Sequence, residues 1–209
     1  MFKPREWHPI YRWHHLRHWL YTKRHPTAPW LTPTANEMLE TLLRPHDAGL
    51  EFGSGHSTLW FAKRIQSLTS VEHDRAWYDS VSRLLSTNGV SNTTYLCREP
   101  LDEFSTSPSD YTEVAARFEP RSVDFVLVDG MQRARCAMDA LGILAPGGLL
   151  VIDDAQRYLP SHSSTALVGR SVKRPASALW SEFWEQVSGW RRIWTTSGDS
   201  DTLVFFKPS

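Results

Sequence analysis

Two short runs constrain the fold more than anything else in the chain: "VDFVLVDG" at residues 123–130 and "GGLLVIDD" at 147–154. Each is apolar almost without interruption and too short for a buried helix. A strand with that pattern must be covered on both faces, which is the situation of central strands in a parallel sheet. The rest of the chain alternates accordingly. Residues 48–52, 68–73 and 93–98 read as strands, and 57–66, 75–87, 132–144 and 177–188 as helices. Thr34-Ala35-Asn36-Glu37 has the spacing of a capping box, so a helix is expected from there to Arg44, stopped by Pro45. Residues 100–120 are rich in Ser, Asp and Pro, with a short helix around Tyr111–Phe118; 156–175 read as a long loop. "RRIWTTSGDSDTLVFFKP" reads as two strands joined by a turn at Ser197–Ser200. Strand–helix alternation of this kind predicts an α/β layered domain. The length of 209 residues suits one such domain, over 34–209, preceded by an arm, 1–33.

In such a sheet ligands sit beyond the carboxyl ends of the strands, where the winding reverses. "GLEFGSGHSTLWFAKRI" (49–65) places Gly53-Ser54-Gly55 at such a strand end, immediately before a helix. Glycines there allow close backbone approach, and the helix start offers free N–H groups. Glu72, at the end of the next strand and nineteen residues after Gly53, has the position of a carboxylate that grips ribose hydroxyls. The combination points to an adenosine-type ligand. No Gly-Lys-Ser/Thr phosphate loop is present, and Thr58 stands where a dinucleotide fingerprint has its third glycine. Glu51 would repel a pyrophosphate but suits a ligand with a positive end. S-adenosylmethionine, with an ammonium, a sulfonium and no phosphate, meets that description.

"LEFGSGHSTLWFA" followed by "TSVEHDRAWYDSV" resembles the first two motifs of class I S-adenosylmethionine-dependent methyltransferases, and "VDFVLVDGMQRARCAMDALGILAPGGLLVIDDAQRY" resembles their fourth and fifth strand region. The resemblance covers roughly residues 34–207. It implies a Rossmann-like, seven-stranded, mainly parallel sheet with helices on both faces and an antiparallel last strand. It also implies a donor site of Glu51, Gly53, Ser54, Gly55, Ser57, Thr58, Glu72, His73 and Asp129, with Arg98 and Glu99 toward adenine. The implied activity is methyl transfer, expected on oxygen of a small-molecule or sugar-like acceptor. A nucleotide-dependent oxidoreductase on a similar sheet and a non-catalytic binding module are the rival readings.

Methyl transfer needs alignment and a deprotonated acceptor. Candidate catalytic residues are Asp129, Asp153 and His56. Asp129, Asp153 and Asp154 all close central strands, and together could bind Mg2+ or another divalent cation through oxygen. That arrangement is similar to catechol-type O-methyltransferases, although Asp154 replaces their Asn and Gly130 departs from their pattern. His162 lies in the loop after the fifth strand; Arg133 and Arg135 are candidates for an anionic acceptor or for a plain helix face.

Charge is concentrated in the arm. Lys3, Arg5, Arg12, Arg17, Lys23 and Arg24 face one acid there, Glu6, while the whole chain has zero formal net charge. Trp7, Ile10, Tyr11, Leu16, Trp19 and Leu20 fall at roughly helical spacing, so a basic aromatic helix is expected, packing on the body, on a substrate or on a second copy in a homodimer. His14 and His18 could share a face as a metal pair, a weaker reading than a solvated basic face because no carboxylate accompanies them. The neutral total argues against nucleic acid as the partner. No run reaches the roughly eighteen apolar residues of a membrane span. Cys97 and Cys136 suggest no disulfide framework, which fits a reducing cytoplasm.

Overall fold

The computed structural model describes residues 9–167 and 171–209. Lys3, Arg5, Glu6, Trp7 and His8 lie outside the described residues, as do the side chains of Ile10, Tyr11, Arg12, His14, His15 and His18, including the pair His14/His18.

Helices α1 (Pro9–Arg24) and α2 (Pro33–Leu42) precede strand β1 (Ala48–Phe52). Then follow α3 (His56–Ala62), β2 (Ser67–Glu72), α4 (Arg75–Thr87), β3 (Thr93–Cys97), β4 (Val123–Val128), α5 (Arg133–Ile143) and β5 (Leu144–Ile152). The chain closes with α6 (Ser164–Leu167), α7 (Ala178–Gln186), β6 (Arg191–Thr196) and β7 (Asp201–Phe206). The seven strands form one sheet in the order β3-β2-β1-β4-β5-β7-β6. β7 runs antiparallel to both neighbours, β5 and β6, and the other pairs are parallel. This is the Rossmann-like, mainly parallel sheet that the sequence resemblance implies. The strand order reverses between β1 and β4, which opens a crevice at their carboxyl ends.

The central strands read as continuous apolar runs because both faces are buried. Along β4, Val126 and Val128 join the core shared with α5 and α7, while Phe125 and Leu127 join the core under α2 and α3. Along β5, Leu150 and Ile152 face the first core, and Leu149 and Val151 the second. The same alternation decides where Glu51 goes. Leu50 and Phe52 take the α5/α7 face, so Glu51 between them turns toward α3.

Several helix ends differ from the sequence expectation. α2 is capped by Thr32, whose side chain accepts from the Ala35 amide, and not by Thr34. Pro33 explains the shift: it lacks an N–H and its fixed φ suits the first helical position. Thr32 also docks the helix, since its amide donates to the Thr202 hydroxyl of β7 at 3.0 Å. α3 stops at Ala62, four residues short of the expected end, because the Arg64 amide bonds back to the Phe61 carbonyl and tightens the chain ahead of β2. The segment near Tyr111 is a 3-10 turn, Thr112–Arg117. On α1, Trp13, Leu16, Trp19 and Leu20 are exposed, so this aromatic face is not packed on the body.

Candidate active site

At the crevice the turns after β1, β2 and β4 meet. The Glu72 carboxylate is nearly buried and organises two of them. Its Oε2 accepts from the Ser54 amide at 3.1 Å and from the Ser54 hydroxyl at 2.6 Å. Its Oε1 accepts from the His73 and Asp74 amides at 2.8 and 2.9 Å, with His73 Nδ1 2.9 Å away. The Ser54 hydroxyl also meets the Tyr95 hydroxyl at 2.7 Å. Asp74 then caps α4 by accepting from the Trp77 amide, and the Trp77 indole N–H donates to the Ser54 carbonyl at 2.8 Å.

The two glycines of the first turn do different work. Gly53 has φ +91°, and a Cβ there would lie 2.7 Å from the Asp129 carbonyl carbon and from the Gly130 nitrogen. Its bareness lets the β1 and β4 turns press backbone against backbone. Gly130 is bare for a related reason: the Tyr111 hydroxyl occupies the space its Cβ would take. Gly55 is looser, with the Trp77 ring 3.7 Å from a Cβ built there.

These turns line an open cavity of about 640 Å³, with Gly53, Ser54, Glu72, His73, Trp77, Asp129 and Trp30 in its wall. Asp74, Ala76 and Gly130 complete the lining; three of the lining residues are acids, and no lysine or arginine is among them. Trp30, from the segment ahead of α2, lies 6.3 Å from the Trp77 ring and 6.1 Å from the His56 ring. His56 and Gly55 border a separate cavity behind Trp77. Ser57 and Thr58 are buried at the start of α3.

Glu51 lies beneath the turn and does not line the cavity. It is fully buried, and its Oε2 accepts from the Thr58 and Ser70 hydroxyls at 2.7 and 2.6 Å. Its Oε1 meets no hydrogen-bond criterion among the described residues, although the nearby Ser57 hydroxyl helps to lower the carboxyl's pKa. Thr58, where a dinucleotide fingerprint has glycine, therefore fastens the helix start to β1; its hydroxyl also accepts from the Gly55 amide. Burial pushes the Glu51 pKa up to about 7, against the lowering effect of its hydroxyl donors. A carboxyl raised in this way makes the folded state bind more protons than the unfolded one between its ordinary pKa of 4.5 and 7. Stability from this group is therefore present at acid pH and lost as pH rises through 7. Urea denaturation should show Glu51→Gln removing about 2 kcal/mol of stability loss between pH 5 and pH 8. An unchanged pH slope in the variant would refute this assignment.

Asp129 is held by Arg133. The guanidinium donates to Asp129 Oδ1 at 3.0 Å, to the Asp129 and Gly130 carbonyls at 2.9 Å each, and to the Asp153 carbonyl at 2.8 Å. Arg133 is thus a fastener between the β4 and β5 ends. Burial pushes the Asp129 pKa up to about 6, with Arg133 opposing the rise. Arg135 pairs with Asp139 on its own helix.

At the expected cation site of Asp129, Asp153 and Asp154, each carboxylate already accepts a hydrogen bond from the protein. Asp153 Oδ1 accepts from Thr202 of β7 at 2.8 Å, and Asp154 Oδ1 accepts from Ser200 and Gln156. Burial, then the Asp129 and Asp154 charges, push the Asp153 pKa well above the usual range. Burial also acts on Asp154, but hydrogen bonds from Gln156 and Ser200 outweigh it and hold the carboxyl low. Among the described residues no group of three or more His, Cys, Asp or Glu side chains could hold a metal ion.

Sequence reasoning missed Trp30, Trp77, Tyr95 and Gln132. Gln132 is buried in a left-handed conformation; its amide group accepts from the Leu101 amide and donates to the Ser105 and Ser107 carbonyls, holding the loop after β3. Trp30 and Trp77 carry no local signal beyond their aromaticity, since their meeting depends on how α2 and α4 are placed.

The model of a family described as a methyltransferase domain matches residues 50–155. Among solved structures, a protein from Corynebacterium glutamicum is 16% identical, with 94% of this chain and 90% of that one covered and a TM-score of 0.59. A methyltransferase from Geobacter sulfurreducens is 15% identical, covering 98% and 90%, at a TM-score of 0.57. A methyltransferase-like protein from Silicibacter pomeroyi is 23% identical, covering 88% and 92%, at 0.54. No curated protein matches the chain significantly.

Proposed function

The chain belongs to the methyltransferase-domain family, and from that premise we propose that it methylates an oxygen of a small-molecule or sugar-like acceptor in the cytoplasm. It is an S-adenosylmethionine-dependent methyltransferase. The observation that carries the donor assignment is the character of the cavity wall: Glu72, Asp74 and Asp129 with no lysine or arginine. Such a wall repels a pyrophosphate and welcomes an ammonium and a sulfonium, which disfavours a dinucleotide oxidoreductase. A volume of about 640 Å³ lies in the range of small-molecule sites.

The donor supplies an activated methyl carbon on a sulfonium. The chain supplies the rest. Glu72 holds the sugar hydroxyls, and His73 and Trp77 flank that position. The Gly53 turn fixes Ser54, and Arg133 fixes Asp129 at the opposite wall. Asp129 is the proton acceptor for the attacking hydroxyl: with its pKa raised to about 6 it is ionised at neutral pH and more basic than an ordinary aspartate. Asp153, turned toward Thr202, and His56, outside the cavity, are not given that role. No divalent cation enters the scheme.

Asp129→Asn is expected to lower kcat by about 100-fold or more while S-adenosylhomocysteine affinity stays within about threefold. Calorimetry and rates on a panel of hydroxylated acceptors measure the two. Equal loss of donor affinity would make Asp129 a donor contact and not a base. Binding with no turnover across the panel would favour a non-catalytic module. The exposed Trp13, Leu16 and Trp19 support a homodimer through α1. The molar mass after deletion of residues 1–25 tests it.

A further inference from the structure

A second cavity lies at the same sheet edge, of about 240 Å³, between α1, the first turn of α2 and the end of β6. Arg17, Arg24 and His25 reach it from α1 and the residue just past its end; Thr34 and Glu37 reach it from α2, and Ser197 from the β6–β7 turn. Arg17 and Arg24 are seven residues apart, two turns along one helix face. Five arginines of the body are ion-paired: Arg64 to Glu40, Arg75 to Asp79, Arg133 to Asp129, Arg135 to Asp139 and Arg157 to Glu103. Neither Arg17 nor Arg24 has such an ion pair among the described residues. His25 is held in place by stacking on Tyr21, ring centroids 4.5 Å apart. Against the two guanidinium groups the cavity wall offers a single carboxylate, Glu37.

The position matters as much as the charge. β6 runs in the same direction as β5, with β7 antiparallel between them, so Thr196 and Ser197 lie at the edge where Glu72 and Asp129 end their strands. The Ser200 hydroxyl donates to Asp154 at 2.8 Å, tying the β6–β7 turn to the end of β5. The segment from His25 to Pro33 runs between the two cavities. His25 and Pro33 border this one, and Trp30 borders the donor cavity.

We infer that this cavity binds an anionic group, phosphate or carboxylate, carried by the methyl acceptor, whose hydroxyl then reaches the donor cavity past Trp30. The inference rests on the methyltransferase reading for its second half only. Two guanidinium groups without an ion pair among the described residues and the Thr34 hydroxyl, beside the first turn of α2, are donors that a phosphate or carboxylate uses. The volume suits such a group and is small for a whole nucleotide.

The test uses the full chain and inorganic phosphate, titrated at constant ionic strength with chloride as the balancing anion. Phosphate line width by NMR reads binding, and S-adenosylhomocysteine affinity is measured on the same samples. Saturable phosphate binding is expected, weakened at least about tenfold in Arg17→Gln/Arg24→Gln. Absence of saturation in the wild type, or equal binding by the variant, overturns the inference. The second arm compares hydroxylated acceptors in pairs, with and without a phosphate or carboxylate. The anionic member is expected to have the lower KM, by about tenfold, and to lose that advantage in the variant at retained kcat. Phosphate binding without this discrimination would make the cavity a site for a free anion and overturn the acceptor assignment. Intact phosphate binding with no S-adenosylhomocysteine binding would strike the methyltransferase reading instead and leave the anion site standing.

Discussion

Replacing Gly53 by alanine is expected to destabilise the protein by about 4 kcal/mol, the sum of a left-handed backbone penalty and an overpacking penalty that cannot relax. The φ of +91° alone makes any side chain strained. The added methyl would also sit 2.7 Å from the Asp129 carbonyl carbon and the Gly130 nitrogen. Those atoms are backbone in a turn clamped by Arg133, so they cannot rotate away as a side-chain end could. Gly55→Ala provides the comparison. Its φ of 167° is ordinary extended backbone and its nearest neighbour is a ring edge at 3.7 Å, so a change within about 1 kcal/mol is expected. Urea denaturation of both variants decides the matter. Similar losses at the two positions would mean that the β1–β4 contact is not what the first glycine serves.

Removing the Glu72 carboxylate should abolish most donor affinity: Glu72→Ala is expected to bind S-adenosylhomocysteine about 100-fold more weakly. Two hydrogen bonds to a charged group, at about 1.5 kcal/mol each, account for that factor. The side chain also bridges the Ser54 turn to the start of α4, so alanine leaves buried N–H groups without an acceptor. Glu72→Gln separates the two effects. It keeps one acceptor oxygen and the shape but sets its NH2 against a backbone N–H, so about a tenfold loss of affinity is expected, with a stability loss smaller than that of alanine. Calorimetry gives the affinities, and circular dichroism checks that the variants are folded. Affinity of the alanine variant within about threefold of the wild type would remove the sugar-gripping role altogether.

The sheet was readable in the sequence because its central strands are buried on both faces; nothing but continuous apolar runs satisfies that, and Val123–Val128 and Leu149–Ile152 supply them. Helix ends were less readable where two signals competed, as Thr32 and Thr34 did for the cap of α2, and Pro33 decided between them. In the site, Glu72 could be found from its distance to Gly53, since both follow from strand length. The direction of Glu51 could not be found from motif position, although the strand alternation around it contained the answer. It is a residue of β1 that points under the turn, bonded to Ser70 and Thr58. The three aspartates looked like one cluster because they end adjacent strands. What the strand ends do not reveal is the hydroxyl content of β7 and of the β6–β7 turn, where Thr202 and Ser200 each donate to one of them. Partners drawn from so far along the chain have no local signature.

Glu72 meets its ligand already satisfied. Both oxygens are taken by protein N–H and O–H groups, one of them the Ser54 hydroxyl, which has Tyr95 as a ready alternative. A sugar arriving there trades places with a serine, one hydroxyl for another, and little heat should be released at that contact. Selectivity for a ribose would then reside in the fit of its two adjacent hydroxyls, while the displaced serine keeps a partner in Tyr95.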